Sequence, residues 1–428
     1  MKRFIVSILL LSSISVSAQD TIRMTLDSCV RYAYQHNITV LSAQKSQEST
    51  EASLMGAKLS FLPTISASTN QDLSVENQAT RSGQYGVNGS LTLFNGLSKV
   101  RTLQQSKIQN EHSILSVKQT ENAVGIEIIS AYLTILMNEE KLQFQQEVLK
   151  TSEEQRNEGE LKSKVGRILE SDYLLLDANY TSSQSEIDNT RLTISDNQNS
   201  MMRLLCMENN GQSFDVIPSE DSIKASECML PEYDSVFARA QRTMPDWQIS
   251  QMNVDIARYN VGIAQSAIFP TLSLNAGTTY NEGNVTSDNP ATTINTGLNT
   301  SVTLGLSIPI FSSGQTTTQV KKSKIALQQA ELQHNQDIID LENNIRQMYI
   351  VLQQSLNRFR ASEALLNAYK ASYEVYVIKY EEGAVTAVEM LQQQDKFLSS
   401  LNDYLQNKYS YILAEKQLDI YMGKEIKL

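Results

Sequence analysis

Two periodicities run along this chain. Between Gln315 and Glu382 there is no glycine or proline, and Ile338, Ile345, Leu352, Phe359, Leu366, Tyr373 and Tyr380 recur at seven-residue intervals. Leu341, Met348 and Leu356 fall between them. Apolar residues at that interval form the seam of a coiled-coil helix, so the pattern predicts one very long helix here. Leu97 to Glu158, interrupted only by Gly125, predicts a second. Shorter helices are expected from about Asn37 to Phe61 and Ile168 to Met207, and again from Pro245 to Ile268 and Ala387 to Met422. In each half the two shorter helices add up to roughly 65 residues, about 95–100 Å of helix at ~1.5 Å per residue. That matches the long helix and suggests two short helices placed end to end beside one long one.

The other periodicity is two. Val302, Leu304, Leu306, Ile308 and Ile310 alternate with Thr303, Gly305, Ser307 and Pro309. Leu272, Leu274, Ala276, Thr278 and Tyr280 form a similar run, as do Val87, Gly89, Leu91 and Leu93, with a weaker one at Ile65, Ala67 and Thr69. These are strands with one apolar face, about ten residues long, the length a tilted strand needs to cross a bilayer. The polar stretches Asp72–Gln84 and Asn281–Asn299 read as hairpin loops. The competing reading is a soluble sheet packed on a helix. If the strands do lie in lipid, four cannot close a barrel, which needs about eight or more. Copies of the chain would then have to share one.

The pattern occurs twice. Ser60-Phe61-Leu62-Pro63-Thr64 is echoed by Ala267-Ile268-Phe269-Pro270-Thr271, and Leu93-Phe94-Asn95-Gly96 by Ile310-Phe311-Ser312-Ser313-Gly314. Gly166 with Asp172 is echoed by Gly383 with Glu389. The expected organisation is a signal peptide over residues 1–18, a first repeat over 19–207, a linker over 208–231, and a second repeat with the C-terminal tail over 232–428. The signal reading rests on Lys2 and Arg3 before an apolar stretch, then Val16-Ser17-Ala18 as small residues at a cleavage site. No cysteine lies near that site, so no lipid anchor is expected.

Composition narrows the function. After residue 18 no run of about 18 apolar residues occurs, so no transmembrane helix is expected and only a closed β-barrel could span a membrane. The formal net charge of −11 argues against a nucleic-acid-binding protein. The three cysteines, Cys29, Cys206 and Cys228, and the three histidines are isolated, without metal-ligand spacing. Cys29 and Cys206 sit in helical patterns and are expected in the core. No metal, cofactor or catalytic group is expected. Asp172 and Glu389 could be proposed as an acid–base pair. Their matched places after a glycine turn suit symmetry better, and nothing nearby supplies a nucleophile or oxyanion donors.

From Thr25 to about Gly423 the chain resembles the TolC-like outer-membrane efflux proteins. The resemblance rests on Thr25-Leu26-Asp27-Ser28-Cys29-Val30 with His36-Asn37, the two Pro-Thr helix-to-strand junctions, the two Phe-to-Gly strand-to-helix junctions and both glycine turns. It implies a mixed, mostly α fold: a homotrimer in which four strands per protomer build one β-barrel, continued by a long coiled-coil α-helical barrel in the periplasm. It also implies a periplasmic adaptor and an inner-membrane transporter of RND or ABC type as partners. The chain would then be the exit duct of an efflux pump, or the outer-membrane part of a type I protein secretion system. A periplasmic adaptor is the alternative from a different class. By the same resemblance Val165, Gly166, Arg167, Glu382 and Gly383 form the adaptor-docking tip. Tyr380, Asp172 and Glu389 form the gate behind it, with Val385 where relatives can carry an arginine.

Overall fold

A computed structural model describes residues 21–74, 80–208, 213–218, 229–284 and 297–424. The expected signal segment, Cys228 and much of the linker lie outside the described residues. The elements in order are β1 (Ile22–Met24), α1 (Leu26–His36), α2 (Ile38–Leu59), β2 (Thr64–Ser74), β3 (Thr80–Asn95), α3 (Ser98–Lys164) and α4 (Glu170–Leu204). They continue with β4 (Phe214–Val216), α5 (Tyr233–Thr243), α6 (Pro245–Ser266), β5 (Thr271–Asn284), β6 (Gly297–Ser307), α7 (Gln315–Glu381) and α8 (Ala387–Tyr421). The helices form equal pairs: α1 and α5 have 11 residues, α2 and α6 have 22, α3 and α7 have 67, and α4 and α8 have 35. Up to the hairpins the second copy trails the first by 207 positions (Tyr233 against Leu26), and after them by 217 (Gln315 against Ser98). The difference in length lies between β5 and β6.

Several expectations need correction. The helix expected from Asn37 is preceded by a separate helix, α1, and its counterpart α6 by α5. The two shorter helices therefore come to somewhat less than the long one. The strands are longer and the hairpin loops shorter than the alternation suggested, since β2 reaches Ser74 and β5 reaches Asn284. In contrast, β6 stops at Ser307, short of Ile308 and Ile310. Pro309 has no N–H to offer a ladder, which favours an end there. Cys29 is fully buried as expected. Cys206 is not a helical core residue: it lies just past α4 with φ 55° and is half-buried.

The contacts form two compact units, each drawing on both repeats. Unit 1 comprises Met1–Val40, Glu121–Ala240 and Arg346–Leu428. Its core is the middle of α3, where Ile128, Ile129, Tyr132 and Ile135 are fully buried, together with the α7 seam and α8. Leu352, Phe359, Tyr373 and Tyr380 of the seven-residue series are buried, as is Leu356 between them, while Leu366 is only half-buried. Phe359 stacks on Tyr411 at 5.9 Å and meets Tyr404 at 5.8 Å. Ser355 and Ser362 occupy seam positions and donate back to the carbonyls of Leu352 and Phe359 at 2.8 and 3.0 Å, so their buried hydroxyls are satisfied locally.

Unit 1 also holds a two-strand parallel ribbon, β1 with β4, in which Ile22 pairs with Phe214. Phe214 and Val216 are buried, and Tyr132 donates its hydroxyl to the Ile217 carbonyl at 2.5 Å. Arg23 pairs with Asp215 at 3.1 Å. Glu139 of α3 shares this site. Burial, then the hydrogen bond and charge of Asp215, raise its carboxyl to about 7, with Arg23 pulling the other way. An acid whose pKa is raised by folding holds its proton more tightly in the folded state. It therefore costs nothing below its ordinary pKa and destabilises increasingly as pH climbs towards 7. A shift of that size corresponds to at most about 3 kcal/mol, and solvent screening at a half-exposed carboxyl reduces it to about 1–2 kcal/mol. Thermal midpoints at pH 5 and pH 8 are expected to favour pH 5, and Glu139→Gln should flatten the difference. An unchanged pH difference in that variant would remove Glu139 as its source.

Unit 2 comprises Leu41–Thr120 and Gln241–Ile345. It contains one antiparallel sheet in the order β2-β3-β5-β6. The register sorts the strands into two faces. Ile65 pairs with Gly89, Leu91 with Leu274, and Leu274 with Leu304, so the apolar positions share one face. On the other face Ser66, Asn88, Gly277 and Ser301 lie in one row, and Ser68, Gly86, Thr279 and Asn299 in the next. A bulge between Thr92 and Phe94 ends the β3–β5 ladder near the helices.

The return from strand to long helix is built alike in both repeats. The Asn95 Oδ1 accepts the Lys99 amide at 3.3 Å, and the Ser312 Oγ accepts the Thr316 amide at 3.4 Å. Gly96 and Leu97 have φ 65° and 66°, and Ser313 and Gly314 have φ 50° and 76°. The structural partner of Gly96 is therefore Ser313, one position earlier than the sequence likeness suggested. The surroundings differ. A Cβ on Gly96 would stand 2.5 Å from the Ser266 carbonyl oxygen and 2.8 Å from Phe269 Cβ, whereas one on Gly314 would meet nothing within 4 Å. Arg101 Nη1 pins this first junction, donating to the Gly262 carbonyl at 2.5 Å and to Ser266 Oγ at 2.8 Å.

Candidate functional site

Two features are the candidates for function: the pair of helix turns in unit 1 and the sheet in unit 2. The turns close in the same way. After α3, the Gly166 amide bonds Ser163 O at 3.0 Å and the Arg167 amide bonds Lys162 O at 2.8 Å. After α7, the Gly383 amide bonds Tyr380 O at 3.0 Å and the Ala384 amide bonds Lys379 O at 2.7 Å. Gly166 and Gly383 have φ 71° and 74°, the left-handed conformation that ends a helix in this motif and favours glycine. A Cβ at either would meet nothing within 4 Å, so the demand is conformational and the space outside is open. Val165, Arg167 and Glu382 are exposed. Lys162 Nζ links the two turns, reaching the Glu381 carbonyl at 3.4 Å.

Beyond the turns the helices start differently. Thr386 caps α8: its hydroxyl accepts the Glu389 amide at 3.3 Å, while Glu389 Oε2 accepts the Thr386 amide at 2.9 Å. These bonds hold the exposed Glu389 carboxyl below its ordinary pKa. Leu169 occupies the same place before α4 and makes no side-chain cap bond. Asp172 and Glu389 are thus symmetry-related third residues of two helices, and only Glu389 completes a capping box. The Thr-x-x-Glu signature was present in the sequence.

Tyr380 sits behind the turns in an apolar cluster with Val148, Leu176, Tyr373, Ala387, Met390 and Phe397, against which Val385 packs. Lys162 Nζ lies 5.2 Å from its ring centre. Burial, and then the charges of Glu158 and Asp172, raise its phenol pKa. The structure therefore brings Tyr380 and Asp172 into one neighbourhood without a hydrogen bond between them. The Tyr380 hydroxyl is buried and has no partner within the protomer. Lys162, ion-paired with Glu158 at 2.9 Å, is a member of this site that sequence reasoning missed. Further along, Ser152, Asn179 and Gln394 form a polar layer: Asn179 Nδ2 donates to Ser152 Oγ and to Gln394 Oε1, each at 3.2 Å. Gln394 is fully buried.

In the sheet, the apolar face has no cover. Ile65, Val302, Leu304 and Leu306 are all exposed, Ile65 by 76%. Its outer strands β2 and β6 each pair on one side only. Among the described residues no helix is long and apolar enough to cross a membrane.

Residues 237–424 match the family model described as outer membrane efflux protein. The chain is 21% identical to outer membrane protein TolC of Vibrio cholerae over 91% of its own length and 89% of that protein's. It is 20% identical to outer membrane efflux protein BepC of Brucella suis, over 97% of this chain and 89% of BepC. Among solved structures, CusC superposes with a TM-score of 0.78 at 16% identity, covering 95% of this chain and 93% of CusC. VceC of Vibrio cholerae gives a TM-score of 0.76 at 13% identity, covering 94% and 97%. Over residues 237–424 the chain matches the outer membrane efflux protein family model, and over nearly its whole length it is similar in sequence and in fold to TolC-like proteins.

Proposed function

We propose that this chain is one protomer of a homotrimeric outer-membrane exit duct in a tripartite efflux pump. It would pass small molecules onward from an inner-membrane transporter and a periplasmic adaptor. The observation that carries this is the sheet of unit 2. Its strands are long enough to cross a bilayer, one face is apolar and uncovered, the other is lined with Ser, Thr, Asn and Gly, and both edges are open. A soluble sheet would bury the apolar face, and a membrane sheet must close. Exposed Ile325, Leu332 and Ile339, seven residues apart on α7, offer a second seam for a neighbouring helix. The soluble-sheet and adaptor readings leave these surfaces unexplained.

The test is fractionation with a native mass. The protein should be recovered in the outer membrane as a trimer; a detergent-solubilised monomer that keeps all its β structure would defeat the proposal. Docking is tested at the turns. Gly166→Val and Gly383→Val force a β-branched residue into positive φ at about 1–2 kcal/mol each, in places with no neighbouring atoms. Adaptor crosslinking should fall several-fold while trimer yield holds. Crosslinking at wild-type level in both variants would remove these turns as the docking tip.

A further inference from the structure

Two grooves in unit 1 are copies of one another. The first, of about 270 Å³, lies between α3, α4 and α8. The second, of about 250 Å³, lies between α7 and α8. At the offset of 217 positions, Val148, Asn179, Ser183 and Glu186 of the first correspond to Leu365, Lys396, Ser400 and Asp403 of the second. The copies differ in charge. The second is lined by one cation, Lys396, and one carboxylate, Asp403. In the first an amide, Asn179, replaces the lysine, and α8 adds a second carboxylate, Asp395. The lone cation of its lining, Lys141, is paired with Glu186 at 3.2 Å. Asp395 has no ion pair or hydrogen bond among the described residues. The first groove is therefore one positive charge short of the second.

A buried atom in the same groove points the same way. Gln145 is only 8% exposed and lines the first groove; its counterpart Ser362 in the second is satisfied by the Phe359 carbonyl at 3.0 Å. Gln145 Nε2 donates to Glu186 Oε1 at 3.5 Å, but the Gln145 Oε1 has no partner. Turning the amide over would set its oxygen against the Glu186 carboxylate, so the group left over is an acceptor and what it lacks is a donor. We propose that the groove between α3, α4 and α8 binds a short alkylammonium ion, the free analogue of the Lys396 side chain in the second groove.

The ammonium group donates to Gln145 Oε1 and to the Asp395 carboxylate, and its charge strengthens both bonds. The alkyl stem lies on Val148, Leu398 and Leu401, which give the groove an apolar wall. That combination of an apolar wall and a few polar groups is what small-molecule sites use to fix orientation. A bare metal ion would use the oxygens and leave the apolar wall wet, and an anion is opposed by two carboxylates. The ligand touches three helices at once, so its binding ties α8 to α3 and α4. The inference goes beyond the exit-duct reading and does not rest on it, because every residue of the groove belongs to one protomer and to unit 1.

The test is calorimetric titration of the full chain in detergent with butylammonium chloride, against potassium chloride at the same ionic strength. Saturable binding of one butylammonium per chain is expected. Asp395→Asn, at an exposed position, should weaken it at least tenfold. Gln145→Met, which keeps the length of the side chain and loses its carbonyl, should do the same. Asp403→Asn, in the second groove, should leave the affinity unchanged. The thermal midpoint without ligand checks that each variant folds, and if Gln145→Met does not, Asp395→Asn decides alone. No saturable heat from the wild type, wild-type affinity in folded Asp395→Asn, an equal loss in Asp403→Asn, or potassium binding as tightly overturns the proposal. The stoichiometry is per chain, so a protein that proved monomeric would defeat the exit duct and leave this test standing.

Discussion

Gly96→Ala is expected to lower the stability of unit 2 by roughly 3 kcal/mol or more, and with it the yield of protein in the outer membrane. Two penalties add. The backbone there is left-handed, about 1–2 kcal/mol for a residue with a Cβ. The new Cβ would also stand 2.5 Å from a carbonyl oxygen of α6, which belongs to backbone and cannot swing aside. Overpacking of that kind typically costs 1–3 kcal/mol. Gly314→Ala is the control, since it shares the positive φ and meets no neighbouring atom within the protomer. The thermal midpoint of the protein should fall several degrees further for Gly96→Ala than for Gly314→Ala. Equal losses would mean that conformation alone governs the junction and that the close approach of α6 is irrelevant.

Tyr380→Phe combined with Asp172→Ala is expected to raise single-channel conductance several-fold in planar bilayers. The Tyr380 hydroxyl lies buried without a partner, which costs about 1–3 kcal/mol in a structure that offers nothing in return. A neighbouring protomer, or Asp172 in a slightly altered rotamer, would supply the missing bond in the closed assembly. Three such bonds around the axis would hold the turns together. The two explanations of the hydroxyl diverge cleanly. If it is merely stranded, Tyr380→Phe stabilises the protein and leaves conductance at the wild-type level. If it closes the duct, conductance rises while the fold, whose ring packing is retained, does not weaken. Val385, packed in the apolar cluster, brings no charge to this point, and Arg167 is exposed on the other turn.

The large elements were legible because they rest on long runs of simple pattern. A seven-residue seam without breakers gave α7 nearly to the residue, and period-two alternation located all four strands of the sheet. The glycine turns were legible because few residues accept their backbone. Short and distant features were not. The break between α1 and α2 is made by Asn37, which donates to the Leu204 carbonyl at 2.8 Å and accepts the Thr39 amide at 2.8 Å. Its counterpart between α5 and α6 is Met244 followed by Pro245, a helix-starting proline. Two unrelated chemistries make the same break, so comparing the repeats concealed it. The β1–β4 ribbon joins three-residue strands far apart in sequence, and no local periodicity marks it. At the turns, pairing Asp172 with Glu389 by symmetry was sound, but it hid the capping role that only Glu389 has. The lone hydroxyl of Tyr380 depends on what surrounds it in three dimensions, which no spacing reveals.

The polar face of the sheet has a bearing on transit speed. Its central rows, such as Ser66, Asn88, Gly277 and Ser301, hold only hydroxyl, amide and glycine positions. Such groups trade hydrogen bonds with water on nearly equal terms, and they set up no deep Coulomb well in which an ion of either sign would dwell. A passage works only if what enters can also leave. If this face lines the duct as proposed, a solute crossing it would keep most of its hydration shell and find no step sticky enough to hold it. Such a stretch would be built for release, and any discrimination among cargoes would have to be exercised elsewhere.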